Sequence, residues 1–191
     1  HHNLPAEGAG LPAAHTIVHP RLPDSEYPFG ELCGAGVAFK LAWRIATMAA
    51  GTDRVPDAMR RLLLDLLALA SLGTIADVVP LLDENRVIAR FGLGRLRSTQ
   101  LVGLNALIES AGLADERIDA EHVGFVLGPR LNACGRMGHA RDAVEMLTVA
   151  EYDRALCIGR ELNKLNDQRR ATERAIAAQA IELAEQSGMT G

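Results

Sequence analysis

The run AMRRLLLDLLALASLGTIADVVP, residues 58–80, joins a strongly apolar helical pattern to a single carboxylate. Leucine and alanine cover more than one face of the predicted helix 58–73, so we expect it to pack against neighbours on two sides. Gly73 suits the position that follows a helix end. Asp77 stands among isoleucine, alanine and valine, where burying a charge is costly without compensating bonds. It caps a turn before Pro80 or binds a hard divalent cation, and both interpretations are open.

Further helices are predicted on both sides of this run. Residues 34–50 are almost wholly apolar at helical spacing and begin with small residues that permit close packing. Residues 84–97 place an acid early and arginines late, as the helix dipole favours. Residues 101–112 form another helix, closed by glycine. Residues 151–185 predict a helix of ~35 residues, or roughly 50 Å, whose polar middle suits a bridge through solvent between two bodies.

Residues 1–30 are loop-like and rich in proline and glycine. Within them HTIVHP, residues 15–20, is rich in β-branched residues and ends at a proline, so we predict a short strand there. HVGFVLG, residues 122–128, is a short apolar stretch that we expect to end at Gly128 and Pro129.

The composition argues against several classes of protein. The net charge of the 191 residues is −4, so any phosphate-binding surface must be local. Cys33, Cys134 and Cys157 are widely spaced and form no CxxC pair, which argues against a disulfide framework or a zinc site and favours packed thiols in a reducing compartment. No apolar run reaches the ~18 residues that span a bilayer, and no signal peptide opens the chain. We therefore predict a cytoplasmic protein.

The segment GPRLNACGRMGHA, residues 128–140, has the composition of a phosphate-binding element. Its glycines leave the backbone accessible to an anion, and the guanidinium groups of Arg130 and Arg136 match phosphate oxygens. Asn132 both donates and accepts hydrogen bonds. The alternative is an ordinary turn between helices with solvated arginines, and His139 suits a surface or turn position.

Two further groups of residues are ambiguous. His1 and His2 are either the remnant of an affinity tag or part of a metal site. Along the long helix, Arg169 and Arg170 intermingle with acids, which favours a solvated charged face over a surface that contacts DNA.

Five motifs in order resemble the bacterial RecJ exonuclease family of the DHH phosphoesterase superfamily. They are HH-x-LP, YPFGELCGAGVAFKL, SLGTIADVVPLLDENR, GPRLNACGRM and ELNKLNDQRRATE, and they cover almost the whole chain. In that family an aspartate precedes the histidine pair, so the resemblance favours a metal site over a tag remnant.

The resemblance implies a 5′-to-3′ exonuclease that hydrolyses single-stranded DNA in repair and recombination with Mn²⁺ or Mg²⁺. It implies that His1 and Asp77 bind the metal. It also implies catalytic roles for Asp77 and His2, with His2 in contact with the scissile phosphate or a neighbouring ligand. The residues implied to hold substrate phosphates are Arg130, Asn132, Gly135 and Arg136. Arg169 and Arg170 become candidate DNA contacts on the connector helix.

The resemblance also implies the fold. We expect an α/β architecture of the DHH phosphoesterase type, with 1–150 as the C-terminal part of the catalytic domain and 151–191 as a connector helix. The strand-rich half of that domain precedes this sequence, so these residues should be predominantly α-helical with one or two short strands. The early aspartate motifs are missing, and two candidate ligands are too few for a tight manganese site. We therefore expect the isolated polypeptide to be inactive or nearly so.

Three rival functions stay open. A DHH phosphodiesterase for short oligonucleotides, cyclic dinucleotides or pyrophosphate shares the metal chemistry, and a non-catalytic DHH-like scaffold shares the fold. A helical interaction domain with a tag remnant explains the helices but gives no reason for GPRLNACGRM. The expected partner is single-stranded DNA, with a helicase and a single-strand-binding protein as further candidates and no membrane.

Overall fold

The computed structural model describes residues 4, 9–136 and 140–187, and these fall into two compact units. The first unit contains the described residues up to Leu101 together with Glu116–Gly128. The second contains Val102–Asp115 and the described residues from Pro129 onward. The helical content predicted from the sequence is confirmed in both units.

The first unit is built around helix α2, Asp57–Ala76. Helix α2 packs against α1 (Gly34–Ala50), α3 (Asp83–Leu96) and a π-helix at Val123–Leu127, which confirms the prediction of contacts on two sides. The residues that form the core of this unit are Leu32, Phe39, Ala46, Leu63, Leu67, Ala70 and Ile88.

Gly73 does not end α2, and the predicted helix end there is wrong. The helix continues for one more turn because Gly73 lies against α1: a Cβ at this position would be 2.5 Å from the Cβ of Ala35. The small residues at the start of α1 and Gly73 therefore serve the same close approach of two helices, and Asp77 is the residue that ends α2.

The predicted strand at residues 15–20 is also wrong, and no strand occurs among the residues that the structure describes. A β-branched run forms a strand only when a neighbour offers a ladder of hydrogen bonds, and this segment has none within the described part of the chain. His19 instead serves a turn, where its Nδ1 accepts a hydrogen bond from the backbone N–H of Arg21 at 3.0 Å.

The second unit consists of α4 (Val102–Ser110), α7 (Ala140–Thr148), α8 (Tyr152–Gln186) and, from Pro129 onward, α6 (Gly128–Arg136). A short helix α5, Ala120–His122, belongs to the first unit and begins after the capping residue Asp119. Helices α4, α7 and α8 pack against one another. The buried side chains of this unit include Leu104, Leu107, Met146, Ile158 and Leu162.

Residues 128–136 form a helix, which corrects the expectation that the apolar stretch before them ends at Gly128 and Pro129. Pro129 lies inside a continuous helical run, because α5, the π-helix Val123–Leu127 and α6 follow one another without a break. Its missing N–H interrupts the hydrogen-bond ladder directly after the π-helix, where the ladder is already irregular. Gly128 is required by packing within the first unit, where its Cβ would lie 3.0 Å from the Cβ of Ala76.

Helix α8 has 35 residues, as its sequence pattern predicts. Its apolar stripe is buried at Ile158, Leu162 and Leu165, whereas Ile176 and Leu183 are exposed. The second half of the helix therefore has a solvated surface within the described residues. Cys33 and Cys134 are buried as expected, but Cys157 is exposed, so the prediction of a packed thiol is wrong there.

No helix in the described ranges is both long and apolar enough to cross a membrane.

Candidate functional site

Asp77 lies at the carboxyl end of α2, where its backbone N–H donates to the carbonyl of Gly73 at 2.9 Å. Its side chain is exposed, so the expectation of a carboxylate in apolar surroundings is wrong. A negative side chain at this end of a helix is opposed by the helix dipole. A bound cation would offset that disadvantage.

The residue after Asp77 has a strained backbone. Val78 adopts a left-handed conformation with φ 55°, which is unfavourable for a β-branched residue, and its side chain is 86% exposed. Such strain costs of order 1–3 kcal/mol and is retained where the surroundings or a function require it. The left-handed conformation of Val78 sets the direction in which the backbone continues after Asp77.

Val78→Gly should therefore stabilise the chain by about 1 kcal/mol, because glycine adopts this conformation without a steric cost and no buried contact is lost. The change is measured by urea unfolding followed through Trp43, the chain's single tryptophan, which lies in the same unit. The control is Val87→Gly, at an exposed position within α3, which should destabilise the chain. A loss of stability in Val78→Gly equal to that of the control would contradict the strain.

The described residues contain no complete metal centre. No group of three or more histidine, cysteine, aspartate or glutamate side chains among them could hold an ion. His1 and His2 lie outside the described residues, as does His139. Asp77 is thus a single ligand candidate, and the described residues alone do not fit a complete two-metal site.

Helix α6 separates the predicted phosphate-binding residues onto two faces. Asn132, Gly135 and Arg136 are exposed, whereas Arg130 is half-buried. Asn132 and Arg136 lie about 200° and 240° around the helix from Arg130, at 3.6 residues per turn. The sequence predicted one cluster, and the structure places Arg130 away from the face that the other three residues share.

Arg130 points toward α8 and is held there by Asn163. Its Nε donates to the Asn163 side-chain oxygen at 2.6 Å, and the Asn163 amide nitrogen donates to the carbonyl of Ser110 at 2.6 Å. Nothing in the sequence around Asn163 marks it out from the other polar residues of the long helix. Its partners lie 33 and 53 residues away, so no local spacing could have revealed its role.

Two charged residues of α8, the helix that carries Asn163, influence the pKa of Arg130. Burial lowers the pKa of the Arg130 guanidinium, Asp167 acts in the opposite direction, and Arg170 lowers it further. The group nevertheless stays charged at neutral pH. The structure therefore brings Arg170, one of the two predicted connector residues, into electrostatic reach of Arg130.

Arg169 is engaged with its own helix. Its guanidinium donates to Glu173 at 2.8 Å and to the side chain of Asn166 at 3.2 Å. The side chain is only 24% exposed, so Arg169 is not part of the solvated charged face that the sequence favoured.

Comparison with known proteins gives a consistent result. No model of a known protein family matches the chain. The single-stranded-DNA-specific exonuclease RecJ of Bacillus subtilis is 43% identical over 182 residues, which is 95% of this chain. A crystal structure of exonuclease RecJ bound to manganese superimposes with a TM-score of 0.70 at 35% identity, covering 90% of this chain and 41% of that one. RecJ from Thermus thermophilus in complex with Mg²⁺ gives 0.66 at 34% identity, covering 84% of this chain and 23% of that one.

The resemblance to RecJ is confirmed. The chain spans 22% of the length of the Bacillus subtilis RecJ and 32% of that of the Dickeya dadantii RecJ. The described helices therefore correspond to a minor part of the length of a RecJ protein.

Proposed function

We propose that this chain is part of a metal-dependent exonuclease that hydrolyses single-stranded DNA from the 5′ end. The observation that carries the proposal is the identity of 43% and 38% to RecJ proteins over 95% and 97% of the chain. Residues 1–150 then belong to a DHH catalytic domain and 151–191 to a connector helix. A cytoplasmic location and contacts with a helicase and a single-strand-binding protein are further parts of the proposal.

In this proposal Asp77 supplies oxygen ligands to Mn²⁺ or Mg²⁺, with His1 as a second ligand and His2 beside the scissile phosphate. Its exposed position at the negative end of a helix dipole supports the role. Ions held there would supply Lewis-acid chemistry, lowering the pKa of a water and stabilising negative charge on the reacting oxygens. The crystal structures of RecJ with Mg²⁺ and with manganese support the choice of ion.

The exposed face of α6 is the proposed contact with the DNA backbone. Asn132 and Arg136 lie one turn apart on it, and Gly135 leaves the backbone between them uncovered. Arg130 lies on the other side of α6, where it and Arg170 of α8 add two positive charges that influence each other. A locally basic surface of this kind is compatible with the overall charge of −4, because single-strand channels are basic only along the strand.

Gly135 offers a direct test of that contact. No described atom lies within 4 Å of the Cβ that alanine would add, so packing gives no reason for a glycine inside α6. Gly135→Ala should raise the stability of the chain by about 0.5–1 kcal/mol through helix propensity. It should weaken binding of single-stranded DNA by the full-length protein several-fold, because the methyl group keeps a phosphate from the backbone. Unfolding followed by circular dichroism measures the stability, and fluorescence anisotropy measures the affinity for single-stranded DNA. An unchanged affinity would contradict the contact of Gly135 with a phosphate.

A panel of substrates separates the proposal from its rivals. The full-length protein encoded by the parent gene is incubated with single-stranded DNA, duplex DNA, cyclic dinucleotides and pyrophosphate in the presence of Mn²⁺. The proposal predicts release of mononucleotides from single-stranded DNA above all other substrates. Cleavage of cyclic dinucleotides or pyrophosphate without digestion of DNA would replace it, and no hydrolysis at all would favour the scaffold.

A further inference from the structure

Asn163 lies where three helices of the second unit meet. It projects from α8 and links the last residue of α4, Ser110, to Arg130 of α6 through two hydrogen bonds of 2.6 Å. The approach of α4 and α8 is close one turn earlier, where a Cβ on Gly159 would be 2.4 Å from Ser110 Oγ. That approach places the carbonyl of Ser110 within reach of the Asn163 side chain.

The two contacts require one donor and one acceptor on the same short side chain. A backbone carbonyl only accepts, so the amide nitrogen of Asn163 must face Ser110. The Nε–H of arginine only donates, so the amide oxygen must face Arg130. Leucine satisfies neither contact, and aspartate would set a carboxylate oxygen against the Ser110 carbonyl.

The guanidinium of arginine is planar, so fixing the direction of one N–H bond fixes the directions of the others. Arg130 is held in this way at Nε while its burial restrains the rest of the side chain. An arginine fixed in advance loses less side-chain freedom when it binds a phosphate. The bond to Asn163 thus sets the plane in which Arg130 presents its charge.

We propose that Asn163 is a positioning residue for Arg130 and holds its guanidinium in the orientation that binds a phosphate of the DNA strand. This inference rests on the proposed function. Asn163 itself contacts no DNA in this account and acts only through Arg130.

A double-mutant cycle in the full-length protein tests the inference. Asn163→Leu, Arg130→Ala and the double variant are compared in the digestion of single-stranded oligonucleotides, with separate kcat and KM. Their DNA affinity is measured over a range of salt concentrations. The matched control is Gln179→Leu, which changes an exposed amide on the same helix. We expect Asn163→Leu to raise KM about tenfold and to reduce the salt slope by about 0.7, as Arg130→Ala should.

The double variant should be no worse than Arg130→Ala alone, because Asn163 has nothing left to position. If Asn163→Leu raises KM by the same factor in the Arg130→Ala background as in the wild type, Asn163 has an independent structural role and the inference is overturned. If Arg130→Ala itself leaves KM and the salt slope unchanged, the proposed phosphate contact fails and the inference fails with it.

Asn163→Asp provides a second variant in case Asn163→Leu does not fold. It keeps an acceptor for Arg130, and its negative charge competes with phosphate for the guanidinium. We expect it to weaken DNA binding in the wild-type background and to have no effect when Arg130 is alanine. A loss that persists in the Arg130→Ala background would contradict the positioning role.

Discussion

Asp77→Asn should lower the rate of single-strand digestion by the full-length protein by about a hundredfold or more, while leaving its folding intact. Asparagine keeps the shape of the side chain but removes the charge that binds a divalent cation, and loss of even an indirect metal partner costs about 10–100-fold. Stability should be unchanged or slightly higher, because the carboxylate is exposed at the end of α2 that disfavours negative charge.

The measurement compares digestion rates over a range of Mn²⁺ concentrations with thermal unfolding of the same preparations. We expect the deficit of Asp77→Asn to shrink as Mn²⁺ rises, because a weakened site fills at higher concentration. Asp53→Asn is the control, since it removes an exposed carboxylate from a loop of the same unit. Full activity in Asp77→Asn would remove Asp77 from the metal site, and inactivity explained by unfolding would contradict the expectation that the variant folds.

Gly103→Ala should destabilise the second unit by about 3 kcal/mol, at the upper end of the usual cost of overpacking. Gly103 is buried in α4, and its Cβ would lie 1.8 Å from the carbonyl oxygen of Met146 in α7. Both the carbonyl and the neighbouring atoms belong to the backbone, so no side-chain rotation relieves the overlap. The gain in helix propensity from alanine, about 1 kcal/mol, only partly offsets it.

Urea unfolding of the chain, followed by circular dichroism, measures the effect. Gly135→Ala is the matched control because it makes the same change in a helix of the same unit where no described atom is near. The control should unfold at an equal or higher urea concentration, and Gly103→Ala at a lower one. Equal midpoints for the two variants would contradict the close contact of α4 with α7.

Local periodicity predicted the helices well, and the errors have physical causes. The range 34–50 was predicted to the residue because its apolar spacing and the small residues at its start are both local signals. Gly73 was assigned to a helix end because a glycine that ends a helix and one that admits a neighbour look alike in sequence. The difference lies in Ala35, which is far away in the chain.

The candidate site was predictable only in part. Asp77 and the arginines of α6 could be identified by residue type and by resemblance to RecJ, but not their burial or the faces they occupy. Asn163 acquires its role from Ser110 and Arg130, which only folding brings together. The predicted strand failed for the same reason, because a strand depends on a partner that its own residues do not reveal.

The most direct test of the account is digestion of single-stranded oligonucleotides labelled at either end, with and without Mn²⁺. The full-length protein and the 191-residue chain are assayed side by side. We predict that the full-length protein releases the 5′ label first and only with the metal, and that the isolated chain releases neither label. Release of the 3′ label first, digestion without a divalent metal, or equal activity in the isolated chain would contradict the account.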